Sequence, residues 1–243
     1  MNKTVKNKID SILISVIIPV YNEINTIEEI IDKINLISIN KEIIIVDDCS
    51  NDGSNVKLKE LEGLKFNKLC VHKKNQGKGA AIKTALEHVK GDICLIQDAD
   101  LEYDPNDLPK LMEPIINSET QVVYGSRVLG KKYFENIQNF SHWFRIIGNI
   151  FLTKLSNLIN KQSLTDAHTC YKVFNRKIFS KINLEEKNFN FCPEVTTKIS
   201  KLKIKIIEKP ISYTGRRYSE GKKTKSSDGL RAIITLIKYR FLK

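Results

Sequence analysis

Two acidic pairs and one glycine-rich turn have the residue types and spacing to do chemistry. Asp98-Ala99-Asp100 follows the apolar run Asp92–Gln97 (DICLIQ). Carboxylates at i and i+2 leaving a strand point to one side of a sheet. Such groups repel unless a cation lies between them. Hard oxygen donors suit Mg2+ or Mn2+, which keep substrate phosphates in their remaining positions. Glu102 stands where it can add a third oxygen. The plain alternative is an acidic turn, where Asp is common without any ligand. Asp47-Asp48 closes a second apolar run, Glu42–Val46. It can accept hydrogen bonds from a nucleobase or ribose, or simply serve the Ser50–Ser54 turn (SNDGS). Asn75–Ala80 (NQGKGA) has glycines that let backbone N–H groups approach an anion. It is not a P-loop, because Gly79-Ala80 follows Lys78 where that motif requires Ser or Thr.

The elements that must position these groups alternate in type. Leu13–Pro19 (LISVIIP), Glu42–Val46, Lys68–His72, Asp92–Gln97 and a stretch near Gln121–Tyr124 read as strands. Asn22–Ile37 reads as a helix, with Asn25 or Thr26 as its cap, and Gly79–Val89 as another. Continuous apolar strands interleaved with helices predict an α/β fold whose mostly parallel sheet is covered on both faces. Ligands of such sheets bind at the carboxyl ends of the strands. The loops Val20–Glu23, Asp47–Ser54 and Asp98–Tyr103 are therefore the ones to watch. No repeat or boundary divides the chain, so residues 1–243 are expected to form a single domain.

Composition narrows the partners. Lys and Arg number 40 against 28 Asp and Glu, a formal net charge of +12 in 243 residues. An anionic partner is expected: nucleic acid, a membrane surface or a phosphorylated small molecule. Gly215–Lys243 carries nine Lys/Arg against two Asp/Glu, so more than half of that charge sits at one end. No nucleic-acid reader motif accompanies it, and nucleic acid is not the expected partner. The five cysteines form no C-x-x-C pair, which argues against zinc or a disulfide framework and for a reducing compartment. No signal peptide is visible, and Ile12–Val20 is far shorter than the ~20 residues that span a bilayer.

Taken in order, SVIIPVYNE (Ser15–Glu23), IIVDDCSNDGS (Ile44–Ser54), NQGKGAA (Asn75–Ala81), QDADLE (Gln97–Glu102) and Gly125-Ser126-Arg127 resemble glycosyltransferase family 2. Later segments, among them LTDAHTCYKVF (Leu164–Phe174), FNFCPEV (Phe189–Val195) and PISYTGRRYSEG (Pro210–Gly221), resemble its dolichyl- or polyprenyl-phosphate hexose synthase branch. The resemblance implies a GT-A fold, with metal at Asp98, Asp100 and Glu102. It implies a nucleotide-sugar site at Pro19, Tyr21, Glu23, Asp48, Gly77, Lys78, Asp98, Ala99 and Asp100, which Asp47 can join. It further implies Arg127 on anionic phosphate oxygens, and an acceptor phosphate lined by Arg127, Arg145 and Arg216 with Asn149. Lys223 adds a further cation to that set. Asp98, Asp100 and Arg127 are the expected catalytic residues. His168 departs from the branch, where many relatives carry Glu; it can alter pH dependence or substrate choice, or be a tolerated change, and the last is favoured.

The expected reaction is inverting transfer of a hexose from GDP-mannose or UDP-glucose, aided by Mg2+ or Mn2+, to a polyprenyl phosphate. A phosphate needs no general base, since its second pKa is ~6, whereas a sugar hydroxyl does. Asp166 and Glu194 are the candidate bases if the acceptor is instead a hydroxyl of a surface glycan. Ser141–Ile159 and Leu230–Leu242 are amphipathic and basic enough to lie in a headgroup interface, although either apolar face can pack on the core instead. The enzyme is thus expected in the cytoplasm, held peripherally on the cytoplasmic face of the membrane or on a membrane-embedded partner protein.

Overall fold

The computed structural model describes residues 11–130, 140–216 and 227–243. Among these, seven strands form one sheet: β1 (Ile14–Val20), β2 (Lys41–Asp47), β3 (Lys68–Val71), β4 (Ile93–Ile96), β5 (Val122–Ser126), β6 (Lys172–Asn175) and β7 (Ile206–Pro210). Their order is β3-β2-β1-β4-β6-β5-β7. All adjacent pairs are parallel except the two that involve β6. The helices are α1 (Ile27–Leu36), α2 (Ser54–Leu61), α3 (Lys78–Leu86), α4 (Leu108–Ile116), α5 (Phe140–Asn160), α6 (Arg176–Phe179), α7 (Phe191–Lys201) and α8 (Ser227–Ile237).

Alternation along the strands builds two cores. Ile14, Val16 and Ile18 of β1 face one layer with Ile27, Ile30, Ile31 and Ile34 of α1. Ile17 faces the other, with Ala81, Ile82 and Ala85 of α3 and Val195 and Ile199 of α7. Strands buried on both sides must be apolar throughout, which is why β1 and β2 read so clearly in the sequence.

Two departures matter for function. The first helix begins only at Ile27, not at Asn22, because the chain before it is tied elsewhere. The N–H groups of Asn22, Glu23 and Ile24 donate to Ser50 Oγ, Ser54 Oγ and Asp52 Oδ2 at 2.9, 3.0 and 3.0 Å. Asn51 N–H returns a bond to Asn22 Oδ1 at 2.9 Å. Side-chain acceptors that satisfy backbone donors compete with helix formation. Here they zip the loop after β1 to the loop after β2. Asn22 takes φ 51°, a left-handed conformation Asn tolerates.

The second departure is β6, which the sequence reading did not anticipate. An antiparallel strand enters a sheet at the end where its parallel neighbours leave it. The Thr165–Tyr171 segment is thereby delivered to the carboxyl ends of β4 and β5. The Ile211–Arg216 segment leaves β7 at that same end.

Helices α5, α7 and α8 pack against one another beside this crevice. Helix α5 is arranged inside out. Its buried stripe is Ile146, Thr153, Ser156 and Asn160, while Trp143, Phe144, Ile147, Phe151 and Leu158 are exposed. Asn160 Nδ2 donates to Ser156 Oγ at 3.3 Å and to Thr197 Oγ1 of α7 at 3.2 Å. Helix α8, which continues into a π-helical turn over Lys238–Leu242, has two apolar faces. Ala232, Leu236 and Tyr239 pack inward, and Leu230, Ile234, Ile237 and Phe241 point out. Each helix thus packs one face on the core and leaves an apolar stripe exposed. No helix among the described residues is long and apolar enough to cross a membrane.

The zipper predicts that Ser54→Ala, which strands the buried Glu23 N–H, destabilises the fold by about 1–2 kcal/mol. A urea titration should show a lower midpoint at unchanged slope; an unaltered midpoint would show that the two loops hold position without it.

Candidate active site

The loops at the carboxyl ends of the strands enclose a cavity of about 750 Å3. Pro19, Tyr21, Glu23, Asp48, Gly77, Lys78, Asp98, Ala99, Asp100 and Glu102 line it, and so do Arg127, Arg145, Asn149 and Arg216. The donor-side and acceptor-side sets read from the sequence therefore meet in one place. Asp47 is not among the lining residues. It is buried, and its carboxylate accepts the Ser50 N–H at 3.3 Å, the turn role that was its plain alternative. Lys223 lies outside the described residues.

Asp48 and the glycine turn line the cavity and are also bonded to each other. The Gln76 and Gly77 N–H groups donate to the Asp48 carboxylate at 2.8 and 2.6 Å, and His72 Nδ1 lies 2.7 Å from it. The anion these amides cradle is thus the protein's own. The glycines are required by packing. A Cβ on Gly77, which sits at φ 92°, would come within 2.2 Å of Asn188 Oδ1, and one on Gly79 within 2.1 Å of the Glu186 carbonyl oxygen. Ala80 N–H donates to the Lys187 carbonyl at 3.1 Å. The turn is pressed against Glu186–Asn188, a contact between residues distant in sequence that no local pattern could announce.

The acidic turn is held by cations of the chain. Strand β4 ends at Ile96, so Asp98 and Asp100 project from the turn beyond it. Lys78 Nζ pairs with Asp98 Oδ1. Burial works against both charges, yet each partner holds the other ionised: the Asp98 carboxyl is lowered and the Lys78 ammonium raised. Asp100 goes the other way. Burial, with Asp98 and Glu102 beside it, pushes its carboxyl up to about 7 against the pull of Arg216. Arg216 meets Glu23, Asp100 and Glu102 together.

Among the described residues four carboxyls therefore gather around two cations, with Asp100 poised near 7. Among the described residues no three acidic, His or Cys side chains converge as a ready-made metal cage, because Lys78 and Arg216 hold the oxygens. The expected Asp98–Asp100–Glu102 set is not assembled as it stands. In kind it fits a hard divalent ion, since its donors are carboxylate oxygens.

On the acceptor side Arg127 forks onto Asp166, Nε to Oδ2 at 2.7 Å and Nη2 to Oδ1 at 2.8 Å. Asn149 Nδ2 adds a bond to Asp166 Oδ1 at 3.2 Å. Burial opposes the charge of Asp166, but the Arg127 guanidinium outweighs it and the carboxyl falls to about 2. The Thr165–Tyr171 segment is pinned from two strands. Glu208 of β7 accepts the Thr165 and Asp166 N–H groups at 2.7 and 2.9 Å. Lys172 of β6, fully buried, donates to the Ala167 carbonyl at 3.2 Å and to that of Thr169, with its ammonium 4.0 Å from the Tyr124 ring centre. His168 lines the cavity, and burial, reinforced by Lys172, lowers it to about 4. It is neutral across the physiological range, so it is not a proton switch near pH 7.

Sequence reasoning missed several lining residues: Cys170 and Cys192, Tyr213, Asn188, and Gly229 and Ala232 of α8. Tyr213 lies between Tyr103, 5.2 Å away ring to ring, and the Arg127 guanidinium, 5.2 Å from its centre. Cys170, Cys192 and Tyr213 fall within segments that the resemblance had marked, but not as site residues.

An α/β sheet with a cavity at its strand ends, lined by acidic and basic groups, is the architecture of a ligand-binding site. The chain belongs to glycosyl transferase family 2, whose model matches residues 15–182; it is a glycosyltransferase. A UDP-N-acetylglucosamine–dolichyl-phosphate N-acetylglucosaminyltransferase of Methanococcus voltae is 30% identical, covering 93% of this chain and 95% of that protein. A dolichol-phosphate mannosyltransferase of Pyrococcus furiosus is 30% identical over 86% of this chain, which spans 58% of its length. An undecaprenyl-phosphate 4-deoxy-4-formamido-L-arabinose transferase of Aeromonas hydrophila is 27% identical over 89% of this chain, which spans 64% of it. The fold matches glucosyl-3-phosphoglycerate synthase from Mycobacterium tuberculosis, solved with Mn2+, uridine diphosphate and phosphoglyceric acid. That match has a TM-score of 0.73 at 18% identity and covers 98% of this chain and 81% of the other. The fold is GT-A, as the resemblance implied.

The Arg127–Asp166 pair predicts a specific acid sensitivity. A carboxyl lowered from 3.8 to about 2 contributes stability that is complete above 3.8 and disappears as pH falls through 2. Asp166→Asn should cost about 3–5 kcal/mol at pH 7, because it leaves Arg127 buried beside a neutral amide. The gap to the native protein should narrow by roughly 2 kcal/mol between pH 4 and pH 2 in thermal melts. A gap constant with pH would show that the charge of Asp166 is not what stabilises.

Proposed function

We propose that this enzyme transfers a hexose from a nucleotide-sugar to a polyprenyl phosphate, with inversion at the anomeric carbon. The observation that carries the acceptor is the state of the two candidate bases. Asp166 is locked by Arg127 with its carboxyl at about 2, too weak to take a proton from a hydroxyl near neutrality. Glu194 is fully buried and accepts from the Glu185 and Glu186 N–H groups at 2.8 and 2.9 Å, with Lys198 at 2.6 Å. A nucleophile already anionic at pH 7 needs neither. It needs cations, and Arg127, Arg145 and Arg216 all line the cavity. The names of the Methanococcus, Pyrococcus and Aeromonas relatives support the same acceptor class.

The division of labour follows from the charges. Pro19, Tyr21, Glu23 and the Asp98–Asp100 turn receive the nucleotide-sugar. Asp98, Asp100 and Glu102 would hold Mg2+ or Mn2+, which supplies neutralisation for the departing diphosphate. Arg127 is already oriented by Asp166 and needs no reorganisation to present its remaining face to a phosphate oxygen. Asn149 fixes the far side of the same carboxylate. For the donor, GDP-mannose and UDP-glucose are joined by a UDP-N-acetylhexosamine on the strength of the Methanococcus relative's name.

The outward faces of α5 and α8 bring the enzyme to its acceptor. Phe144 and Gly148 of α5 and Gly229 of α8 line the cavity, so the exposed apolar stripes of these helices lie beside its mouth. Exposed apolar surface of this kind marks an interaction site, and a polyprenyl chain resides in a bilayer. The enzyme is therefore peripheral, on the cytoplasmic face.

Incubation with labelled nucleotide-sugars and short polyprenyl phosphates tests the reaction directly; transfer to an oligosaccharide but not to lipid phosphate would overturn it. Asp100→Ala should reduce turnover by about a thousandfold or more while leaving the melting profile near native; turnover that keeps its metal dependence would remove Asp100 from the ion's ligands. Ile147→Asp with Ile234→Asp should lower partitioning to anionic vesicles by about tenfold without lowering the melting temperature. Equal partitioning would assign those stripes to something other than lipid.

A further inference from the structure

Arg216 occupies carboxylates that the donor site needs. Its guanidinium forks onto Glu23, with Nη1 at 2.8 Å from Oε2 and Nη2 at 3.1 Å from Oε1. Nη2 also reaches Asp100 Oδ2 at 2.9 Å. Its own N–H donates to Glu102 Oε1 at 2.7 Å. The chain leading to it is fastened to the same residue. Tyr213 OH donates to Glu102 Oε2 at 2.9 Å, and Thr214 N–H to the Glu102 carbonyl at 2.9 Å. Tyr213 also forms an isolated antiparallel bridge with Tyr103. Ile211–Arg216 therefore lies as a strap across the acidic turn, fastened at its end by an arginine.

A guanidinium forked onto two carboxylates cannot at the same time fork onto a phosphate, since its five N–H donors lie in one plane and here most are committed. A divalent ion would take lone pairs of Asp100 and Glu102 that Arg216 and its backbone now use, and it would repel the guanidinium across them. The ion brings two charges on a compact centre to oxygens that one diffuse charge now screens.

We propose that Arg216 is a displaceable counter-ion that orders the two substrates. It screens Glu23, Asp100 and Glu102 until the divalent ion and nucleotide diphosphate arrive, and their arrival frees its fork for the acceptor phosphate. This rests on the functional reading above. It explains why a cation needed by the acceptor is bound to acids needed by the donor, and it makes donor loading the condition for acceptor binding. An acceptor bound too early would meet an arginine facing away.

The test uses the full chain, native and with Arg216→Met or Arg216→Lys, and two binding measurements that need no turnover. The first is Mn2+ alone, followed by electron paramagnetic resonance. Arg216→Met should bind Mn2+ about tenfold more tightly than native protein, with Arg216→Lys in between, since removing a competitor raises affinity. The second is a water-soluble isoprenyl phosphate, followed by calorimetry with and without Mn2+ and UDP. Native protein should bind it at least about tenfold more tightly when both are present, and Arg216→Met should lose that enhancement. Mn2+ affinity unchanged or weakened in Arg216→Met, or isoprenyl phosphate binding indifferent to Mn2+ and UDP, overturns the proposal and leaves the functional reading intact. Native protein that binds neither Mn2+ with UDP nor isoprenyl phosphate overturns the functional reading, and the ordering with it.

Discussion

Carboxylates packed this closely beside a half-buried cavity do not coexist without cations, and the carboxyl end of the sheet is organised around that constraint. Glu23, Asp98, Asp100 and Glu102 come from two loops. Lys78 arrives from the start of α3 and Arg216 from beyond β7. Each cation is partly desolvated, and the pairs survive because both members are ionised together. Asp100 shows the residual cost: with its neighbours acidic and its surroundings dry, its carboxyl sits near 7 rather than in the usual range. The crevice thus gathers four carboxyls around two of the described cations. That is the electrostatic condition in which a dication and its diphosphate are welcome.

The side of the cavity around Arg127 is built on the opposite principle. There the charges are matched one to one, Arg127 against Asp166, and the segment carrying Asp166 is pinned by Glu208 and by the buried Lys172. A matched, rigid pair presents an arginine in a set orientation. The acidic side concentrates charge and the Arg127 side fixes geometry. The reversed strand β6 brings the second beside the first.

Much of this was legible in the chain, and what was not has physical causes. Strands β1, β2 and β4 announced themselves because a strand buried on both faces has no freedom to be polar. The acidic turn and the arginines were legible as residue types. Their partners were not: that Arg216 would sit on Glu23, or that Asp48 would cradle the Gln76–Gly77 amides, depends on contacts between loops far apart in sequence. Strand β6 is only four residues long and β7 is nowhere fully buried, so neither carries a strong period. Helix α7 is buried on nearly every side and therefore lacks the one-sided apolar stripe by which surface helices are read. The glycines of the Asn75–Ala80 turn carried only half of their meaning in the sequence. Glycine marks a close approach but does not say of what, and here the Glu186–Asn188 segment approaches.

Helix α5 turns its small hydroxyl- and amide-bearing residues to the interior and its aromatic ones to the outside. Two tasks that most amphipathic helices load onto the same residues are thereby uncoupled: Thr153, Ser156 and Asn160 keep the helix seated, while Phe144, Ile147 and Phe151 face whatever lies beyond. Grip on the surroundings can strengthen or weaken over generations without the interior registering the change. A lineage could remake that outward face by drift on one side of a single helix while its seat stays unchanged.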